Sequence, residues 1–149
     1  MSQSYASAGL PLDLPWKLWT PTLVNITPGN GTQVARFVGE SGGLIVAHYE
    51  LLFGSSTTID GANPTFSTPL TASASYTAPR NHLGPAYMND SGSNAFPGMV
   101  RLESSTTFSV SVWDATNPHV SNVSVSATVP MTWADGDLLS FTAIFEAAA

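Results

Sequence analysis

The sequence has no cysteine. That excludes a disulfide framework, and it removes thiolate nucleophiles and thiolate metal ligands. Charge is nearly as scarce, at 9% of 149 residues, where about 25% is usual. The fixed cations are Lys17, Arg36, Arg80 and Arg101 against ten carboxylates, for a net charge of −6. Four cations cannot neutralise a useful length of phosphate backbone, so nucleic acid is excluded as a partner. No basic amphipathic stretch suits a membrane surface. No apolar run approaches the ~18 residues of a spanning helix, so no membrane insertion is expected. Residues 1–6 carry neither a positive region nor an apolar stretch, so no signal peptide is visible and synthesis in the cytoplasm is expected.

What is present argues for a folded domain. Apolar residues make up 43% of the chain, too many for a disordered segment, and the length fits one core. The surface must then consist mainly of Ser, Thr, Asn and Gly. Such a surface suits a protein covered in a large assembly, where every charge taken out of water would need a partner.

The pattern is that of strands. In 44–53, Ile45, Ala47, Tyr49, Leu51 and Phe53 fall on one face, with His48 and Glu50 on the other. Gly42-Gly43 joins this run to 32–38 as a hairpin. Further strands are predicted at 65–67, 98–103, 106–113, 120–129 and 137–146. In the last, Leu139, Phe141, Ala143 and Phe145 share a face. Residues 71–97 hold Pro79, Gly84, Pro85, Gly92 and Pro97 and read as an irregular excursion with one short strand at 85–88. No segment has helical period with caps. About eight short strands imply an all-β, antiparallel β-sandwich of jelly-roll type. Residues 1–18 lack either period, and Pro11 and Pro15 favour extended geometry. They read as an extended N-terminal arm with Leu10, Leu12, Leu14 and Trp16 as anchor residues, followed by the sandwich domain over 19–149. Wet apolar side chains on an arm cost about 25 cal/mol per Å², which favours docking on a neighbouring subunit or partner, with packing on its own domain the alternative.

No catalytic set emerges. Gly39-Glu40-Ser41-Gly42-Gly43 superficially matches the surroundings of a protease serine, but no His precedes Ser41, and the segment reads as a turn. Asp135-Gly136-Asp137 reads as a tight turn between strands ending at Trp133 and starting at Leu138, with calcium binding the minor alternative. His48, His82 and His119 are scattered, and no resident metal or cofactor is expected. The residues that could bind a ligand lie at 76–90 and 113–119. Tyr76, Arg80, His82, Tyr87, Asn89, Trp113, Asn117 and His119 combine aromatic faces with planar polar groups, which is what sugar recognition requires.

Two bracketing segments carry a resemblance. The opening has Trp19-Thr20-Pro21-Thr22 followed by Gly29-Asn30-Gly31-Thr32. The middle has Leu52-Phe53-Gly54-Ser55-Ser56-Thr57-Thr58. The end has Thr132-Trp133-Ala134-Asp135-Gly136-Asp137, running to Phe145-Glu146-Ala147. This set, over roughly residues 16–147, resembles a domain of minor tail proteins and related virion proteins in tailed phages of actinobacteria. Phe145 stands where that family usually has Tyr. The resemblance implies a trimeric virion protein at the tail tip or a side fibre; to this the reading of the residues adds an arm anchored to other virion proteins, contact with host-envelope glycans and no enzymatic activity. Pattern alone implies only an oligomer. A capsid decoration protein stabilising the head is the alternative.

Overall fold

The computed structural model describes residues 15–76, 81–116 and 118–149, and among these there are strands and turns but no helix. The strands are β1 (Lys17–Leu18), β2 (Leu23–Val24), β3 (Ile26–Thr27), β4 (Thr32–Val38), β5 (Leu44–Leu52) and β6 (Thr58–Ile59). They continue with β7 (Thr65–Ser67), β8 (His82–Asn89), β9 (Ala95–Ser104), β10 (Thr107–Asp114), β11 (Ser121–Ser124) and β12 (Leu138–Glu146). One antiparallel sheet runs β1-β4-β5-β12-β8-β9-β10-β7-β2, with β11 also on β10, and β3 and β6 form a separate pair.

The sheet curls on itself because its inner face is apolar along nearly every strand. Ile45, Ala47, Tyr49 and Leu51 of β5 are fully buried, as are Leu139, Ala143 and Phe145 of β12. Each fully buried large side chain contributes about 1.5–3 kcal/mol relative to exposure. Curling brings β5 and β12 opposite β7 and β10. The Tyr49 ring lies 4.7 Å from Phe66 and 5.4 Å from Phe141. Phe108 meets Phe141 and Phe145 edge-on at 5.6 and 5.5 Å. The result is an all-β antiparallel sandwich of half-barrel form.

Segment 17–24 straps the seam between the two sheet edges. Its first residues pair with β4, and its last pair with β7. Between them Trp19 packs edge-on against both Tyr49 and Phe108, at 6.2 and 6.1 Å. The end of the expected arm is therefore part of the sheet, while Leu10, Leu12 and Leu14 lie outside the described residues. Trp16 is about half exposed, with the Arg36 guanidinium 4.9 Å over its ring.

The 32–38/44–53 hairpin and its inward face are as the alternation predicts, and Gly43 N–H donates to Glu40 O in the turn. Other expectations need correction. The irregular excursion contains β8, a full strand between β12 and β9, rather than a short one at 85–88. The expected strand at 120–129 stops at Ser124. Val125 is buried, but Ala127 and Thr128 occupy a turn on the surface. Trp133 lies outside any strand.

Candidate functional site

The motif residues, far apart in sequence, meet at one end of the sandwich. Asn30 Oδ1 accepts from Ser56 N–H and Ser56 Oγ, both at 2.9 Å, and its amide donates to Ser55 Oγ at 3.1 Å. Thr57 Oγ1 donates to Pro28 O at 2.7 Å and accepts from Gly54 N–H at 3.0 Å. Gly29 adopts φ +53°, and a Cβ there would fall 2.2 Å from Ser56 O, so the close approach requires glycine.

The final motif joins the same end. Trp133 stacks on Phe53 at 4.7 Å and 14°, and its indole N–H donates to Ser126 O. Asp137, 1% exposed, accepts from Ser91 N–H at 2.8 Å and Ala134 N–H at 2.7 Å. Its backbone carbonyl accepts from Phe53 N–H, and Gly136 N–H donates to Phe53 O. The Asp-Gly-Asp segment is thus a turn clamp that also fixes the 90–94 turn. These residues satisfy one another and leave little free to meet a ligand.

The proposed sugar-contact residues fall into two groups. Tyr76 and His82 lie at the opposite end from the motif cluster. The Tyr76 hydroxyl accepts from Glu146 N–H at 2.9 Å, and His82 pairs in register with Arg101. Arg80 and Asn117 lie outside the described residues. Tyr87, Asn89, Trp113 and His119 lie toward the motif end. His82 and Asn89, at the two ends of β8, are roughly 23 Å apart at 3.3 Å per residue. Tyr76 and His82 cannot share one small ligand with Asn89 and its neighbours.

Within the second group, Tyr87 and Trp113 form a surface. Tyr87 is paired with Pro97, and the neighbouring Gly98–Val112 pair puts Trp113 next in line. Asn122 pairs with Trp113 on the far side. Tyr87 and Trp113 are each 45% exposed. They stand two strands apart, about 10 Å, on the outer face with Pro97 between them. Beside Trp113 opens a cavity of about 280 Å³ lined by Phe96, Val112, Val123, Val129 and Pro130. Pro97 and Asn122 sit on strands β9 and β11, where a reading of loops alone does not reach them.

Charge is sparse on the outer face. Arg101 donates to Ser109 Oγ and Glu103 Oε2, and Ser109 Oγ donates to the same carboxylate, which closes a small triangle over the buried Ser109. Asp60 accepts from the hydroxyls of Thr58 and Thr27, and these bonds hold its carboxyl below the usual value. In the core, burial pushes the Tyr49 hydroxyl well above its ordinary value, and it donates to Gln33 Oε1 at 3.0 Å. Among the described residues no cluster of three or more His, Asp or Glu side chains could hold a metal ion. No helix among them is long and apolar enough to cross a membrane.

Comparison with known proteins found no matching family model, no matching curated protein and no matching solved structure.

Proposed function

We propose that the protein is a structural component of a bacteriophage virion, a trimeric minor tail protein at the tail tip or a side fibre. Its outer sheet face packs on other copies or neighbouring virion proteins, and its aromatic row meets host-envelope glycans. The observation that carries the reading is an apolar row on the outer face. Val38, Val46 and Ile144 stand side by side on β4, β5 and β12. Leu44 and Leu18 extend the apolar surface, 65% and 89% exposed. A sheet face that carries aliphatic side chains and few charges is suited to being covered. The resemblance of the bracketing motifs supplies the virion context. The same row fits a capsid decoration protein, so location decides between the two readings.

Immunogold labelling of intact particles is the test. Label confined to the tail is the expected result. Label spread over the head establishes decoration instead, and unlabelled particles overturn the virion reading. Deletion of residues 1–15 should leave a folded domain that no longer enters particles, and normal incorporation refutes the arm as anchor.

A further inference from the structure

We infer that the outer face carries a second, smaller recognition site, a groove between β12 and β8 that accepts one uncharged pyranose ring. The inference deepens the glycan part of the proposed function and rests on that part, not on where the protein sits in a particle.

The groove originates in the sequence of β8. Pairing of β8 with β12 runs from Asn89–Leu138 to Ala86–Phe141 and stops there. The next residue of β8 is Pro85, which has no N–H to continue the ladder. Gly84 follows, packed so tightly that a Cβ would lie 2.1 Å from Thr142 O. The paired register ends at Ala86, and beside Pro85 a depression of about 180 Å³ lies on the outer face. Its lining includes His48, Pro85, Tyr87, Ser140 and Thr142.

The lining has the chemistry of a sugar site. Tyr87 supplies an exposed aromatic wall, suited to the C–H face of a pyranose. Ser140 and Thr142 supply hydroxyls on the floor. His48 Nδ1 is joined to Thr142 Oγ1 at 3.2 Å, which orients the ring and leaves Nε2 directed elsewhere. That Nε2 lies 3.9 Å from Glu50 Oε2, and Glu50 shares the register row of Ser140 and Tyr87. A carboxylate accepts from sugar hydroxyls and disfavours an anionic sugar by like-charge repulsion. Arg36, paired with His48 in register, instead places its guanidinium on Trp16. The volume is below the roughly 300–1,000 Å³ of sites for drug-sized ligands, which limits the groove to a single ring.

The test uses the purified full chain and saturation-transfer NMR with methyl glycosides of glucose, galactose and mannose and with N-acetylglucosamine. At least one probe should receive transfer and shift the amides of Tyr87, Ser140 and Thr142. Tyr87→Ala and Thr142→Val should each weaken that binding about tenfold or more with an unchanged thermal midpoint, while Thr128→Ala, on the exposed 127–128 turn outside the groove, leaves it intact. Thr142→Val preserves shape, so it keeps the test informative if Tyr87→Ala perturbs the fold. Absence of transfer from every probe overturns the groove. So does binding that survives both groove variants. A groove that fails while the tail label is positive leaves the virion reading standing. A groove that binds in a protein absent from particles removes only the virion reading.

Discussion

Replacing Asp137 by alanine tests the claim that the closing motif is a structural clamp. The carboxylate is 1% exposed and accepts two backbone N–H groups, from Ser91 and Ala134. Alanine deprives both donors of their partner. Each unsatisfied buried donor costs about 1–3 kcal/mol. Because Ser91 itself is exposed, water can partly recover its N–H, and the sum falls at about 2–4 kcal/mol. That is a large share of the 5–15 kcal/mol typical of a domain. In urea, with a slope near 2 kcal/mol/M, the midpoint should fall by about 1–2 M without a change of slope. Asp135→Ala, at the exposed position of the same turn, should stay within about 0.5 kcal/mol of the parent. Asp137→Asn should lie between, since its one amide oxygen can still accept. If Asp137→Ala and Asp135→Ala melt alike, the clamp is not what holds this end together.

Two further predictions follow from the core. Tyr49 should fail to report ionisation by ultraviolet absorbance as pH passes the ordinary 10.0, because burial raises its pKa. The sign follows from linkage: this contribution to stability is complete below pH 10 and declines as pH rises above it, since only the unfolded chain then releases the proton. Full titration of all tyrosines in the folded protein refutes the burial. Gly98→Ala should destabilise by about 2 kcal/mol or more, measured by thermal or urea midpoint, because its Cβ would meet Ser111 O at 2.1 Å. A neutral effect would mean that β9 and β10 can separate there.

How much was legible depended on how each strand uses its two faces. β5 and β12 alternate cleanly, so both faces could be assigned from Tyr49 and Phe141 outward. β8 was obscured by Gly84 and Pro85, since proline ordinarily argues against a central strand. Here Pro85 falls where β8 leaves β12, so its missing N–H ends that ladder rather than breaking it in the middle, and β8 continues through its pairing with β9. The Val/Ser alternation through 120–129 promised more strand than exists. Alternation records which side chains are apolar, not whether a neighbouring strand is present to pair with: after the Val125 N–H bond to Val110 O, the edge of β10 is taken by β7. The aromatic row was half visible. Tyr87 and Trp113 could be chosen for their side chains, but their alignment across Pro97 depends on register between strands that no linear pattern specifies.

The placement of the motifs separates two questions that the sequence runs together. Gly29-Asn30-Gly31, Gly54-Ser55-Ser56-Thr57 and the Trp133–Asp137 segment bond mainly to one another and to the backbone at one end of the sandwich. Residues used in that way specify a fold, and a fold hosts many functions. The groups free to meet another molecule are elsewhere: the Val38–Val46–Ile144 row, the Tyr87–Pro97–Trp113 row and the groove under Pro85. None of these belongs to the motifs. A likeness in the motifs therefore bears on architecture first, and under the proposed function a change of partner or sugar needs substitutions only on the outer face, where they leave the clamp and the core untouched. Exchanging outer-face residues such as Tyr87 or Ile144 should accordingly alter binding or assembly at constant stability, whereas Asp137→Ala should do the reverse.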